Sequence, residues 1–461
     1  MSTRTAVVLA GHGSHISPQT AGLVWRQVDA LRALGIADEV TAAFWKEMPS
    51  FHNVLYTLAA DDITVVPLFT AQGYFTQTVI PTEMGLDGPV TQRGGRTIRY
   101  TRTLNEHPYL GQIVRQRVEA ALAHFSQTGR DPNQYPVAVA LIGHSTRRNP
   151  DSRKATEAQA EALRTTGPAS DVHAVYLDDL PEIADIYTLT AAPLIVAVPY
   201  FLAYGSHTTI DVPQALGLSV DPAQPFDSAV EQQVNGRTVY YTPPVGIEDD
   251  LRGAILALIE EAGMPLREAR TTSVWSGFPD RGVLSGGIGQ AKIQEGYLLH
   301  VDDDLGDHLI TIESPAQLRD LVRQPAPGQF RSLATSTDLP RGWRVDIKSA
   351  ARLHMIAETL YPAVVSVHDA ILTNPKAMTD FDTLIERQTG QYRDLEGITR
   401  DQQQTIVDHV CSRCILHPHW FSHEKPPDKI LCPEACNHWL SAALSGAALE
   451  TQPIHREDEN L

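Results

Sequence analysis

The sequence lacks any run of roughly 18 apolar residues, the length a membrane-spanning helix needs. No apolar stretch of about 7 to 15 residues with a small-residue cleavage site follows Met1, as a secretory leader requires. Basic residues are scarce: 37 Lys and Arg stand against 55 Asp and Glu, for a net charge of -18. That balance disfavours nucleic acid and anionic membranes as partners, because both are held by clustered cations. Cysteine is scarcer still, with four in 461 residues, all between positions 411 and 436. Together these absences lead us to expect a cytoplasmic protein, in which thiols stay reduced and clustered cysteines serve a metal rather than disulfides.

What is present is a duplication. Leu9-Ala10-Gly11-His12 returns as Leu141-Ile142-Gly143-His144, an offset of 132 residues that other landmarks keep without a gap. Met48-Pro49 matches Leu180-Pro181, and Val66-Pro67 matches Val198-Pro199. Over 65–86 and 197–218, Val66, Pro67, Phe69, Ala71, Gly73, Thr76, Pro81, Gly85 and Leu86 recur identically. Chance would supply about one or two such identities.

Each copy alternates short apolar runs with longer helical patterns, which predicts parallel βαβ units. The expected strands are Thr5 to Ala10, Glu39 to Phe44 and Ile63 to Leu68, then Val137 to Ile142, Asp171 to Leu177 and Leu194 to Pro199. Ser17-Pro18 and Asn149-Pro150 supply a helix cap and first-turn proline after the first strand of each copy. Nearly continuous apolar strands imply a parallel α/β sheet flanked by helices, with ligands bound beyond the strands' carboxyl ends. Both Gly-His pairs fall at such ends.

In the second copy, His144, Asp178 and His207 each follow a predicted strand, and two imidazoles with a carboxylate suit a borderline divalent ion. The first copy keeps only His12, with Lys46 and Phe75 at the positions of Asp178 and His207. The second copy is therefore expected to hold the metal, and His12 to move a proton. Arg147 and Arg148, beside His144, are candidates for binding carboxylates, although arginines at a helix start are commonly just solvated. Gly143-His144-Ser145-Thr146-Arg147 lacks the closing glycine of a hydrolase nucleophile elbow.

The Gly-His loop and Pro199-Tyr-Phe201-Leu202-Ala-Tyr-Gly205-Ser-His207-Thr-Thr-Ile-Asp211-Val-Pro213 resemble motifs of the class II tetrapyrrole chelatases, in particular sirohydrochlorin cobaltochelatases of the CbiX type and their iron-inserting relatives. The resemblance covers roughly residues 5–262. It implies two facing α/β halves with a tetrapyrrole between them, and His144 and His207 as ligands of the incoming Co2+, or of Fe2+ or Ni2+. It also puts Asp178 where some members carry an assisting glutamate.

We expect chelatase-like halves over 1–130 and 131–265, a small structural α+β domain over 266–349, and a mainly helical Cys-rich domain over 350–461. In the third, Gly296 to Val301 and His308 to Glu313 read as strands and Pro315 to Val322 as a helix. In the fourth, 350–360, 376–388 and 401–410 carry helical spacing. Cys411-x-x-Cys414 followed by Cys432-Pro433-Glu434-Ala435-Cys436 suits a [4Fe-4S] cluster, with tetrahedral zinc as the alternative. A cluster also calls for a redox partner. The class of function opposed to a chelatase is then a noncatalytic metal-binding or electron-transfer protein.

Overall fold

A computed structural model describes most of residues 3–266, apart from short stretches near 16, 56, 59, 105–106, 146–150, 222–227 and 248–250, and parts of 287–347 and 359–443. The expected strands are present within a residue or two. The first half contains β1 (Thr5–Gly11), β2 (Glu39–Phe44) and β3 (Asp62–Pro67); the second contains β6 (Val137–Gly143), β7 (Asp171–Tyr176) and β8 (Leu194–Pro199). β1 lies between β2 and β3, and β6 between β7 and β8, all parallel. Their buried residues leave no polar face, as a sheet covered on both sides requires.

Neither sheet is wholly parallel. β4 (Val90–Arg93) and β5 (Arg96–Tyr100) form an edge hairpin on the first sheet, as β9 (Val230–Val234) and β10 (Arg237–Tyr241) do on the second. β5 and β10 run parallel to β3 and β8, whereas β4 and β9 run antiparallel, giving the order β2-β1-β3-β5-β4 twice over. Gly94-Gly95 and Asn235-Gly236 make the turns, all four residues at φ between 51° and 81°. Two-residue hairpins need that left-handed backbone, and Gly or Asn adopts it most easily.

The halves exchange their last helices. Pro108–Gln127, which ends the first half, packs on β8, and Leu251–Glu261, which ends the second, packs on β3. One core consequently joins Leu9, Leu110 and Val118 to Leu141, Val196 and Leu258. Each such fully buried aliphatic contributes about 1.5–3 kcal/mol, so neither half retains its core without the other.

A third sheet has the order β11-β12-β13-β15-β14, built from β11 (Gly287–Ile288), β12 (Ala291–Gln294), β13 (Tyr297–His300), β14 (Ile310–Thr311) and β15 (Trp343–Asp346). The helix Pro315–Arg323 belongs to it and opens with a reciprocal Ser314–Gln317 cap. Further on, the helix Arg400–Val410 matches expectation. Thr379–Asp380, inside the predicted helix 376–388, is instead a short strand paired with Lys429–Ile430. The β-branched Thr379 and its pairing with Ile430 override the apolar spacing there.

Ile406, Trp439 and Ala443 share a core with Trp45, Phe51, Val65 and Ile80 on the other face of the first sheet. The carboxyl-terminal segment thus covers the first half. Trp439 is 1% exposed, and Trp439→Ala is expected to destabilise the protein by about 3–5 kcal/mol. Denaturant unfolding measures this, and a loss under about 1 kcal/mol contradicts the packing. Among the described residues, no helix is long and apolar enough to cross a membrane.

Candidate functional site

Both Gly-His pairs sit where a central strand leaves its sheet, because β1 ends at Gly11 and β6 at Gly143. Glycine is a steric requirement at both places. A Cβ on Gly11 would meet Val24 Cγ2 at 2.9 Å, and one on Gly143 would run into the Thr156 side chain. The helix that follows each strand can pack closely only against a bare backbone.

The loops after β6, β7 and β8 emerge side by side and bring His144, Asp178 and His207 together. The His144 and His207 rings lie 5.3 Å apart between centroids, inclined at 54°. Phe201 stands edge-on to His144 at 6.5 Å and tilted against His207 at 6.3 Å. His144 Nε2 is 3.3 Å from Asp178 Oδ2. The side chains of His144 and His207 are 38% and 47% exposed, so a hydrated ion can reach both.

His207 begins a π-helical turn, His207–Asp211, and its Nδ1 lies 2.7 Å from Asp211 Oδ2. With the proton placed on Nδ1, the ring donates to the carboxylate and keeps the Nε2 lone pair for a metal, the arrangement typical of ligating histidines. Sequence reasoning gave Asp211 no role. The i, i+4 spacing from His207 was the available signal, since residues four apart on a helix face each other. Burial above all, with the positive potential of His207, lowers the His144 pKa from its ordinary value, against the opposing pull of Asp178. The imidazole is thereby kept neutral and able to bind a metal.

The first half presents a different surface. His12 Nδ1 lies 2.8 Å from the Gly13 carbonyl, and Phe75 packs edge-on at 5.0 Å, in the place where His207 faces His144 in the second half. His12 keeps an exposed edge although protein surrounds the rest of the ring. Burial is the main cause that lowers its pKa; the Gly13 hydrogen bond opposes this, and positive charge on Lys46, His15 and His207 reinforces it. The two halves meet beside these loops, where Thr20 Oγ1 donates to the Tyr204 carbonyl at 3.1 Å, and His207 is near enough to act on the charge of His12. Lys46, whose own pKa burial lowers, adds charge that repels a cation from the first half.

Among the described residues, no group of three or more His, Cys, Asp or Glu side chains is gathered closely enough to hold a metal alone. His144, Asp178 and His207 are therefore neighbours and not a closed three-ligand cage. Asp178 pairs with His144, and Asp211 with His207. Arg147, Arg148 and all four cysteines lie outside the described residues. A cavity of about 580 Å³ lined by His52, Glu83, Arg93 and Arg96 shares no residue with the histidine cluster.

Two α/β halves that face each other across unequal histidine loops define a class, the two-lobed class II chelatases. The chain belongs to the CbiX family, which residues 6–121 and 138–262, more than half of its length, match. Residues 288–370 match the DR2241 stabilising domain, and 374–444 a 4Fe-4S iron-sulfur cluster binding domain. The chain is 35% identical over 281 residues to the "Probable sirohydrochlorin cobaltochelatase" of Halobacterium salinarum, a span of 57% of this chain and 94% of that protein. It is 36% identical over 86 residues to the "Sirohydrochlorin cobaltochelatase" of Methanopyrus kandleri, covering 18% of this chain and 59% of the relative. The crystal structure of DR2241 from Deinococcus radiodurans, described as a multi-domain protein with structural similarity to chelatases and two additional novel domains, superposes with a TM-score of 0.74. That comparison has 28% identity and covers 96% of this chain and 99% of the other.

Proposed function

We propose that the protein inserts a divalent metal, cobalt in the first place, into sirohydrochlorin bound between the two halves. The observation that carries this reading is the pair of adjacent, solvent-accessible imidazoles, His144 and His207, each backed by a carboxylate. Insertion requires the ion to lose water, the ring to lose its pyrrole protons and the ion to pass from protein to ring nitrogens. His144 and His207 replace water with ligands of nearly the same softness as the pyrrole nitrogens that receive the ion. Asp178 and Asp211 offset the incoming charge and fix ring orientation. His12, neutral and facing the same space, accepts a departing pyrrole proton. Arg147 and Arg148 hold the substrate's peripheral carboxylates, which guanidinium groups bind in pairs of hydrogen bonds. The same ligand set takes Fe2+ and Ni2+, so iron insertion is the second reading.

The test is anaerobic incubation with sirohydrochlorin and Co2+ or Fe2+, followed through the absorbance of the macrocycle. Metal-dependent spectral conversion is expected, and no conversion with any divalent metal overturns the reading in favour of a binding or redox protein. Because His12 and His144 both have lowered pKa values, their neutral forms persist below pH 6.5. Activity should fall only as pH drops through a midpoint under about 6.5. A rate-pH profile checks this, and a midpoint at or above about 7 contradicts it.

The carboxyl-terminal donor set fits an iron-sulfur cluster, since Cys411, Cys414, Cys432 and Cys436 give the four thiolates that a [4Fe-4S] cluster needs. The helix Arg400–Val410 ends directly before Cys411, and the strand Lys429–Ile430 ends two residues before Cys432. Bound there, the cluster supplies one-electron redox chemistry, and the cysteines hold it. Anaerobically purified protein should contain about four iron and four sulfide per chain, with broad visible absorbance that bleaches on reduction. A colourless, zinc-loaded protein contradicts this.

A further inference from the structure

The duplication exposes a substitution of one arginine for another across domains. In the second half, Asp179 sits behind the Gly-His loop and accepts a hydrogen bond from Ser145 Oγ at 3.0 Å. Arg153, on the helix after that loop, binds Asp179 Oδ2 at 3.1 Å and lies 4.7 Å above the Tyr176 ring. At the repeat offset, Glu47 stands for Asp179, Ala21 for Arg153, and Gly13-Ser14 for Ser145-Thr146. Glu47 also grips its loop, accepting from the Ser14 backbone N–H at 3.1 Å, while the Lys46 N–H donates to His12 O at 3.0 Å. Yet Ala21 offers no charge, and Glu47 is wholly buried. A cation reaches Glu47 from the third domain: Arg323 Nε donates to Glu47 Oε2 at 3.1 Å, and Arg323 is 1% exposed. Arg319, one turn earlier, pairs with Asp29 and lies 4.9 Å above the Trp25 ring. Taking the cation from a buried ion pair is costly, so loss of Arg323 weakens the hold of Glu47 on Ser14.

We propose that Arg323 is a positioning residue: through Glu47 it holds the His12 loop toward the cleft, replacing from another domain the arginine that the second half carries on its own helix. The third domain is thereby tied to the chemistry of the first half as well as to its packing. The coupling rests on the role assigned to His12 only where activity is read; amide exchange reports it independently.

The experiment is hydrogen exchange by mass spectrometry on the full chain, comparing peptides that cover residues 11–15 and 143–145. Arg323→Met, which keeps volume and removes charge, should speed exchange at 11–15 about tenfold and leave 143–145 unchanged. Arg153→Met should do the reverse. Arg323→Lys keeps the charge, guards against a variant that fails to fold, and should fall between parent and Arg323→Met. Ala21→Arg added to Arg323→Met should return exchange at 11–15 toward the parent value. The kcat for metal insertion should fall in the same order, about tenfold for Arg323→Met, with the KM for the macrocycle within about twofold. Exchange at 11–15 unmoved in Arg323→Met and Arg323→Lys, or equal acceleration of both loops, overturns the proposal. Exchange that responds while kcat does not supports the coupling and contradicts the role of His12.

Discussion

Replacing His144 and His207 together by alanine is expected to lower kcat/KM for metal insertion by about 1000-fold or more, with the fold intact. Removing an outer carboxylate from a metal ligand costs about 10–100-fold in affinity or activity, and losing both ligands must exceed that. Asp211→Asn should fall within the smaller range, because it loosens His207 without deleting it. Stability should change little in these variants, since both histidines are substantially exposed and belong to none of the hydrophobic cores. A double-alanine variant within about tenfold of the parent would place the metal elsewhere. The measurement is initial rate against Co2+ concentration at saturating macrocycle, with circular dichroism to verify folding.

The second large effect is expected at His12. His12→Gln should lower kcat by about 100-fold or more, the usual contribution of a positioned general base, while Co2+ binding stays within about twofold of the parent. The physical basis is the division of charge between halves. Burial, to which the packed Phe75 contributes, lowers the His12 pKa, and the charge of Lys46 reinforces this and makes the first half unfavourable for a cation. The second half pairs each of its histidines with a carboxylate. Pre-steady-state absorbance separates the outcomes: a slow proton-dependent step with unchanged metal binding fits a base, whereas weakened metal binding at His12→Gln contradicts it.

Much of the two-half fold was legible because buried parallel strands announce themselves as apolar runs, and the 132-residue offset tied the halves together. The edge hairpins were missed although Asn235-Gly236 between two alternating runs is a strong local turn signal. The exchanged helices were not legible at all. Pro108–Gln127 carries an apolar stripe with the same period whichever sheet it covers, and nothing local selects β8 over its own half's sheet. Nor could sequence place Trp439 in the core of the first half.

At the site, sequence reasoning brought His144, Asp178 and His207 to one place because their strands are neighbours. It named only His144 and His207 as metal ligands and gave Asp178 an assisting place; the chain end of β7 brings Asp178 to His144. The Arg323–Glu47 contact spans 276 residues and joins two domains. Only the repeat offset hints at it, through Ala21 standing where Arg153 stands.

Assignment of the metal to the second half is tested most directly by anomalous diffraction at the cobalt edge, on crystals of the full chain equilibrated with Co2+ in the absence of tetrapyrrole. A single peak at about 2.0–2.2 Å from one nitrogen each of His144 and His207 is expected. A peak at His12, with none between His144 and His207, would contradict the assignment.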